Sequence, residues 1–243
     1  MAMRTIKLLV PLILICQTAF GAVAFDAFTA QAQTTGDFTI SHTPAGTPRG
    51  AIVYVIMNGA AITVSSVTYG GQTMTETASS PVSNITGELG SSHCFFLGTG
   101  IPAGTQNVVV DVLLGTEVSV GGVVTLTADS DTSVVTTGSV LSDNTTTTTT
   151  TLSLGGVSSF VMTGFWSGLN QITNITPLTG WTERLENDYG AATAGIYTYD
   201  TVGTTDVSAG YANSGGDDAA MHAIAVRENA VAGIKKGLAM VIN

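Results

Sequence analysis

The chain has 243 residues, a net charge of −10 and only 7 Lys plus Arg. Phosphate backbones repel so acidic a protein, so we expect no nucleic-acid binding. Only 10% of the residues are charged, against about a quarter in typical domains. The Thr, Ser, Val and Gly residues that replace charged ones favour strands and turns, so the composition predicts an all-β protein long enough to bury a core.

The first 24 residues have the layout of a secretory signal. Arg4 and Lys7 precede an apolar stretch, Leu8–Cys16, and Ala22-Val23-Ala24 offers a small-x-small cleavage site before Phe25. The same segment could instead stay attached as an apolar arm that contacts a neighbouring subunit. Both alternatives remain open from the sequence.

The first predicted elements include one deeply buried strand. Residues 25–36 are linker-like, and Phe38–Ser41 is expected to be the first strand. Ala51–Met57 is a continuous apolar run, which is typical of a strand buried on both faces near the centre of a sheet. The polar residues 79–90 are expected to form an exposed loop.

A tight hairpin is predicted around Gly70-Gly71. Polar and apolar residues alternate in Ser66–Tyr69 and again in Gln72–Thr75. A Gly-Gly pair between such runs favours a two-residue turn, because glycine tolerates a positive φ. Cys94–Leu97 is an apolar run of strand length, and residues 105–111 are rich in valine, which suits a packed pleated surface.

The second half of the chain contains a threonine tract, Thr145–Thr151. It could be a low-complexity linker, but it runs directly into the alternating Leu152-Ser153-Leu154, so we predict a strand or strand edge. A polar turn is expected at Asn213–Asp218, and Gly210 is a candidate bulge. Further strands are predicted at Val118–Ala128, Ser133–Val140, Phe160–Trp166, Trp181–Glu186, Ala194–Tyr199, Asp206–Ala212 and Ala219–Val226.

These runs add up to about a dozen strands with no convincing helical period. They predict an all-β fold, an antiparallel β-sandwich or jelly-roll-like domain. We expect three regions: a signal-like segment or N-terminal arm (1–24), a β-sandwich domain (25–227) and a C-terminal tail (228–243). The tail ends in the apolar Leu238–Ile242, so it is either a last strand or a segment that docks on a partner.

Five motifs occur in order along the chain: AFDA at 24–27, SHT at 41–43, SVTYGGQTM at 66–74, IPAGTQNVVVDV at 101–112 and an apolar strand at 220–226. Together they resemble an uncharacterised β-sandwich domain that is common in bacteriophage virion proteins and secreted bacterial proteins. The resemblance spans about residues 24–227. It implies a sandwich fold and a place in a virion or outside the cell, and it carries no family-wide catalytic residues.

Few groups in the sequence are suited to catalysis. The three histidines are His42, His93 and His222. No nucleophile-elbow pattern accompanies them, so we expect no Ser/His/Asp triad. Glu183 and Glu186 lie near Trp181, but their odd spacing predicts opposite faces of a regular strand, which a glycosidase pair could not use.

Metal and thiol chemistry are also not expected. Asp129 with Asp131, and Asp217 with Asp218, could supply oxygen ligands to calcium, but neither pair is a full ligand set. We therefore expect no metal and no cofactor. Cys94 lies in an apolar run and is expected to be a small buried hydrophobe.

We expect a non-enzymatic structural protein of a phage virion, such as a capsid decoration, fibre or tail component. It would assemble through symmetric contacts with its own copies and with other structural proteins. The alternative is a secreted bacterial surface or filament protein, extracellular or on the cell surface, which could also bind a glycan or a receptor. Four aromatic residues near predicted loop ends could form a sugar platform or fill the core or its rim: Trp166, Trp181, Tyr189 and Tyr211.

Overall fold

A computed structural model describes residues 22–59, 63–84, 89–113, 118–168, 175–189 and 192–229, with the backbone alone for 214–217. These ranges form sixteen β-strands and contain no helix, so none of them offers a helix that could cross a membrane. Every ladder between the strands is antiparallel. The predicted all-β, antiparallel fold is confirmed.

The sixteen strands are β1 (Ala24–Thr35), β2 (Phe38–His42), β3 (Gly50–Asn58), β4 (Thr63–Tyr69), β5 (Gln72–Thr73), β6 (Thr75–Glu76), β7 (Val82–Asn84), β8 (Gly90–Leu97), β9 (Gln106–Leu113), β10 (Val118–Thr127), β11 (Thr132–Leu152), β12 (Ser159–Ser167), β13 (Ile175–Pro177), β14 (Trp181–Asp188), β15 (Thr193–Gly203) and β16 (Val207–Glu228). Four of them, β5, β6, β7 and β13, have only two or three residues, which explains why the sequence predicted fewer.

The strands form three stacked sheets. The central sheet has the order β1-β10-β3-β8-β6, with β7 also paired to β8. A small sheet, β2-β9-β4-β5, covers one of its faces. A large sheet, β11-β16-β12-β15-β14 with β13 on β16, covers the other. The sandwich therefore has three layers, and its central layer has a core on each side.

Strand β3 shows why a continuous apolar run lies at the centre. Ile52, Tyr54 and Ile56 pack towards the large sheet, whereas Val53 and Val55 pack towards the small one. Successive strand residues point to opposite faces, so a strand with a core on each side is apolar at every position. The predicted doubly buried strand is confirmed.

Two local predictions from turn chemistry and β-propensity are also confirmed. Strands β4 and β5 pair across Gly70-Gly71, and these glycines have φ values of 54° and 81°. The threonine tract Thr145–Thr151 lies within β11, opposite the first part of β16. Both results follow from local residue preferences that packing did not override.

The long strands β11 and β16 bend together. The ladder between them shifts register between Ser142 and Thr147, and Asn144 in this interval has a φ of 51°. The backbone N–H of Asn144 donates to the Asp218 carboxylate of β16 at 3.1 Å. The paired strands thus turn a corner without ending.

Beyond the corner, Thr147–Leu152 of β11, Val207–Asn213 of β16 and Ile175–Pro177 of β13 form a small ladder that we call the arm. The arm folds over the outer face of the large sheet and closes a third core. In that core, Phe165 of β12 stacks on Tyr211 of the arm with ring centroids 4.1 Å apart.

Three segments that were predicted to be irregular contain strand residues. Residues 25–36 are not a linker, because β1 pairs with β10 and buries part of Phe25 and Phe28 against the core. The expected loop 79–90 contains β7, which pairs with β8. The turn expected at Asn213–Asp218 is wrong because β16 continues through it, and the ladder passes Gly210 without the bulge that we predicted there.

The start of the described chain can be compared with the predicted boundary of the signal-like segment. Val23 is 0% exposed and belongs to the core between the central and large sheets, one residue before β1. Cleavage before Phe25 would therefore remove a core residue. Residues 1–21 and 230–243, which hold most of the signal-like segment and of the C-terminal tail, lie outside the described residues.

Candidate functional site

His42 connects two of the motifs that carry the family resemblance. Its Nδ1 lies 2.9 Å from the Thr29 hydroxyl and its Nε2 lies 3.0 Å from that of Thr125. Thr125 donates to the Asp26 carboxylate at 2.8 Å, and the same carboxylate accepts the Gly46 N–H. Burial lowers the pKa of His42, although nearby Asp26 opposes the shift. These contacts brace β1, β2 and β10 and use every polar atom of the imidazole.

His222 lies between the central sheet and the large sheet and is 0% exposed. Its Nδ1 is 3.0 Å from the Tyr54 hydroxyl, and its Nε2 is 3.0 Å from the Ala78 carbonyl and 3.1 Å from the Thr77 hydroxyl. Burial lowers the pKa of His222 to about 4. The ring is therefore neutral near pH 7, with Nε2–H donating to Ala78 and Nδ1 accepting from Tyr54.

A serine, a histidine and a carboxylate meet at β8 and β6. The Ser91 Oγ lies 3.3 Å from Nε2 of His93, whose Nδ1 lies 3.2 Å from Oε1 of Glu76. This is the order of contacts in a Ser–His–carboxylate triad. Our sequence reasoning missed this set, although Ser-x-His on a strand places both side chains on one face.

Burial of this set opposes nucleophilic chemistry. Ser91 is 0% exposed and His93 is 1% exposed, so the hydroxyl has no open path to a substrate. Ser80 donates to the same Glu76 oxygen at 2.8 Å and accepts the Cys94 N–H at 2.9 Å. The hydrogen bonds thus join the β6–β7 connection to β8, which is a structural role.

Cys94 is a free, fully buried cysteine, as expected. Burial raises the pKa of its thiol to about 12. Nucleophilic cysteines work as thiolates, which form where a cationic neighbour lowers the pKa. The Cys94 thiol is therefore protonated at physiological pH and acts as a small core side chain.

Glu183 and Glu186 lie on the same face of β14, so the predicted opposite-face placement is wrong. The β14–β15 ladder shifts register between Glu183 and Leu185, and the extra residue, Arg184, restores the two glutamates to one side. Arg184 points to the other face, where it pairs with Asp200 at 2.6 Å and stacks over the Phe25 ring at 3.9 Å.

The environment of Glu186 favours its neutral form. Burial, the Glu183 charge and a hydrogen bond with Glu183 raise the pKa of Glu186 to about 7. The buried Oε1 of Glu186 has no hydrogen-bond partner among the described residues, and the Tyr197 hydroxyl lies 3.5 Å from Oε2. Glycosidase carboxyl groups stand about 5 Å or more apart with the sugar between them, so a pair in direct contact does not fit that chemistry.

The four aromatic residues considered as a sugar platform lie in the cores or at their rim. Trp166 and Tyr211 are 0% exposed, and Trp181 is 9% exposed and donates its indole N–H to Ser208 O at 3.2 Å. The Tyr189 hydroxyl donates to Ile56 O at 3.2 Å. The predicted role in filling the core and its rim is the one that these contacts support.

Acidic turns do not converge on a common point in the described part of the chain. There, no three side chains of His, Cys, Asp or Glu come close enough together to hold a metal ion. Asp218 accepts the Asn144 N–H at the corner of β11, and the side chain of Asp217 lies outside the described residues.

The edge of β11 that does not pair with β16 offers a surface for contact with another molecule. Among the described strands, β16 is the sole ladder partner of β11. Strand β11 has 21 residues, of which Asp143 alone is charged. Leu141, at 61% exposed, is the most exposed large hydrophobic residue that the structure describes.

Comparisons with known proteins complete the description of these candidate sites. No family model, curated protein or solved structure matches the chain. The proposals below therefore rest on the residues and their contacts.

Proposed function

We propose that this chain is a non-enzymatic structural protein of a phage virion, a capsid decoration, fibre or tail component. It assembles through symmetric contacts with its own copies and with other structural proteins of the particle, and it binds no nucleic acid. The sequence motifs that resemble virion and secreted β-sandwich domains support this assignment.

One observation carries the proposal: side chains suited to chemistry are tied into the interior, while a long strand edge has no partner among the described strands. His42 and His222 bridge sheets and strands, and Ser91 is buried beside His93. By contrast, β11 offers an unpaired edge with a single charge. Rigid all-β domains that meet through edges and faces suit a building block of a particle.

The alternative is a secreted bacterial surface or filament protein. The layout of residues 1–24 favours it. Removal of the segment before Phe25 would also remove the buried Val23, which supports retention of at least Val23 and Ala24. Glycan binding in either setting would need side chains other than the four buried or rim aromatic residues.

Purified particles test the proposal directly. Virions from the producing culture would be banded in a density gradient, washed in high salt and analysed by quantitative mass spectrometry. We expect this chain in many copies per particle, because decoration, fibre and tail proteins are repeated by symmetry. Recovery from the particle-free medium alone would reject the virion proposal and favour secretion.

A further inference from the structure

The arm presents an open strand edge to solvent. Thr147–Leu152 of β11 pairs with β16 on one side, and no other described strand pairs with β11 on the other. An edge strand carries backbone N–H and C=O groups that can accept a further strand. The exposed side chains along this edge are Thr147, Thr149 and Thr151.

The arm is also free of charge in a strongly acidic protein. None of its residues is charged, although the chain as a whole carries a net charge of −10. Asp206 precedes one of its strands, and Asp143 lies four residues before Thr147. Two arms can therefore meet without direct repulsion between like charges.

The edge lacks the usual devices that block strand addition. Natural edges carry Lys, Pro or a bulge at the exposed strand. Thr147–Leu152 has no Lys and no Pro, and its register with β16 is regular. The irregular part of β11, between Ser142 and Thr147, lies before this segment.

We propose that two copies of this chain join through antiparallel pairing of Thr147–Thr151 with the same segment of the second copy, about a two-fold axis at Thr149. The partner is a second copy because a threonine run pairs antiparallel with itself in matched chemistry, Thr opposite Thr. The pairing would extend each arm into one sheet across the dimer. This pairing would be one of the symmetric contacts of the proposed virion protein, and the inference rests on that proposed function.

Sedimentation analysis over a range of concentrations tests this pairing. We expect the wild-type chain to dimerise and the double variant Thr149→Lys with Thr151→Lys to dimerise at least ~10-fold more weakly, because like charges would face each other across the axis. Ser208→Lys is the matched control, since Ser208 lies opposite Thr151 on the strand one step from the edge. It should dimerise like the wild type.

The outcomes separate the pairing from the function. Thermal unfolding checks that both variants remain folded. A wild-type chain that is monomeric at all concentrations, or a double-lysine variant that dimerises normally, would overturn the arm pairing. If the wild-type chain is monomeric but abundant in purified particles, only the arm pairing is rejected. If the wild-type chain dimerises through the arm but is absent from particles, only the virion function is rejected.

Discussion

At the scale of single residues, His222 makes the stability of the packing between two sheets depend on pH. Its folded-state pKa of about 4 lies below the ordinary value of 6.5 because the ring is buried. The unfolded chain therefore takes up a proton first as the pH falls. His222 stabilises the fold fully above about pH 6.5, and this contribution is lost as the pH falls towards 4.

We therefore predict that His222 lowers the free energy of unfolding by about 3 kcal/mol as the pH falls from 6.5 to 4. Urea unfolding at several pH values measures it. His222→Gln should be less stable at pH 7 and should show a shallower loss on acidification. An equally steep loss in the variant would contradict the role given to His222.

Glu186 responds to pH in the opposite direction. Its folded-state pKa of about 7 exceeds the ordinary 4.5, so its contribution is full below pH 4.5 and is lost as the pH rises through 7. Because the pair is half exposed, we expect Glu186→Gln to gain only about 1 kcal/mol at pH 8 relative to wild type.

Urea unfolding at pH 5 and pH 8 tests this gain. Asp129→Asn removes the same charge from an exposed turn and is the matched control. It should leave the difference between the two pH values unchanged. A pH-independent effect of Glu186→Gln would contradict the raised pKa of Glu186.

Ser91 provides a residue-scale test of the non-enzymatic proposal. An organophosphonate probe reacts with activated serines that it can reach, and Ser91 is 0% exposed. We expect no labelling of the folded protein by intact-mass measurement. Labelling of the wild type that disappears in Ser91→Ala would identify the Ser91–His93–Glu76 set as catalytic.

Sequence reasoning predicted some of these residues and missed others for a physical reason. The burial of Cys94 follows from its apolar run, which needs no knowledge of distant strands. The Glu183–Glu186 pair depends on the bulge at Arg184, which is fixed by contacts with Asp200 and Phe25 from other strands. A strict two-residue period cannot anticipate such a bulge.

At the scale of elements, β1 and the corner of β11 and β16 were the hardest to predict. The β1 sequence, AFDAFTAQAQTT, is rich in small and polar residues because it is an edge strand and is only half buried. Asn213–Asp218 looks like a turn by composition, yet it lies within β16, where the register with β11 shifts at the corner. By contrast, β3 and the β4–β5 hairpin follow from their local sequence.

The start of β1 gives a prediction at this scale. A chain that begins at Phe25 lacks Val23, which is fully buried, and Ala24, which pairs with Thr127. We expect it to be less stable than a chain that begins at Ala22 by about 1.5–3 kcal/mol, the value of burying one valine side chain. Urea unfolding of the two chains measures the difference. Equal stability of the two chains would contradict the burial of Val23 in the core.

At the scale of the whole molecule, the three layers explain both the core and the exposed edge. The central sheet has a core on each side, so its middle strand β3 is apolar at nearly every position. The arm closes a third core and leaves the second edge of β11 without a partner among the described strands. Periodicity predicted which residues are buried. It did not indicate which sheet covers which face, because that depends on pairing between strands far apart in the chain.

Native mass spectrometry of the protein from its source is the most direct test of assembly, because it reports the oligomer and the N-terminal residue together. We predict a defined oligomer or particle whose chains retain Val23. A monomer that begins at Phe25 would rule out assembly through these contacts and identify a secreted domain.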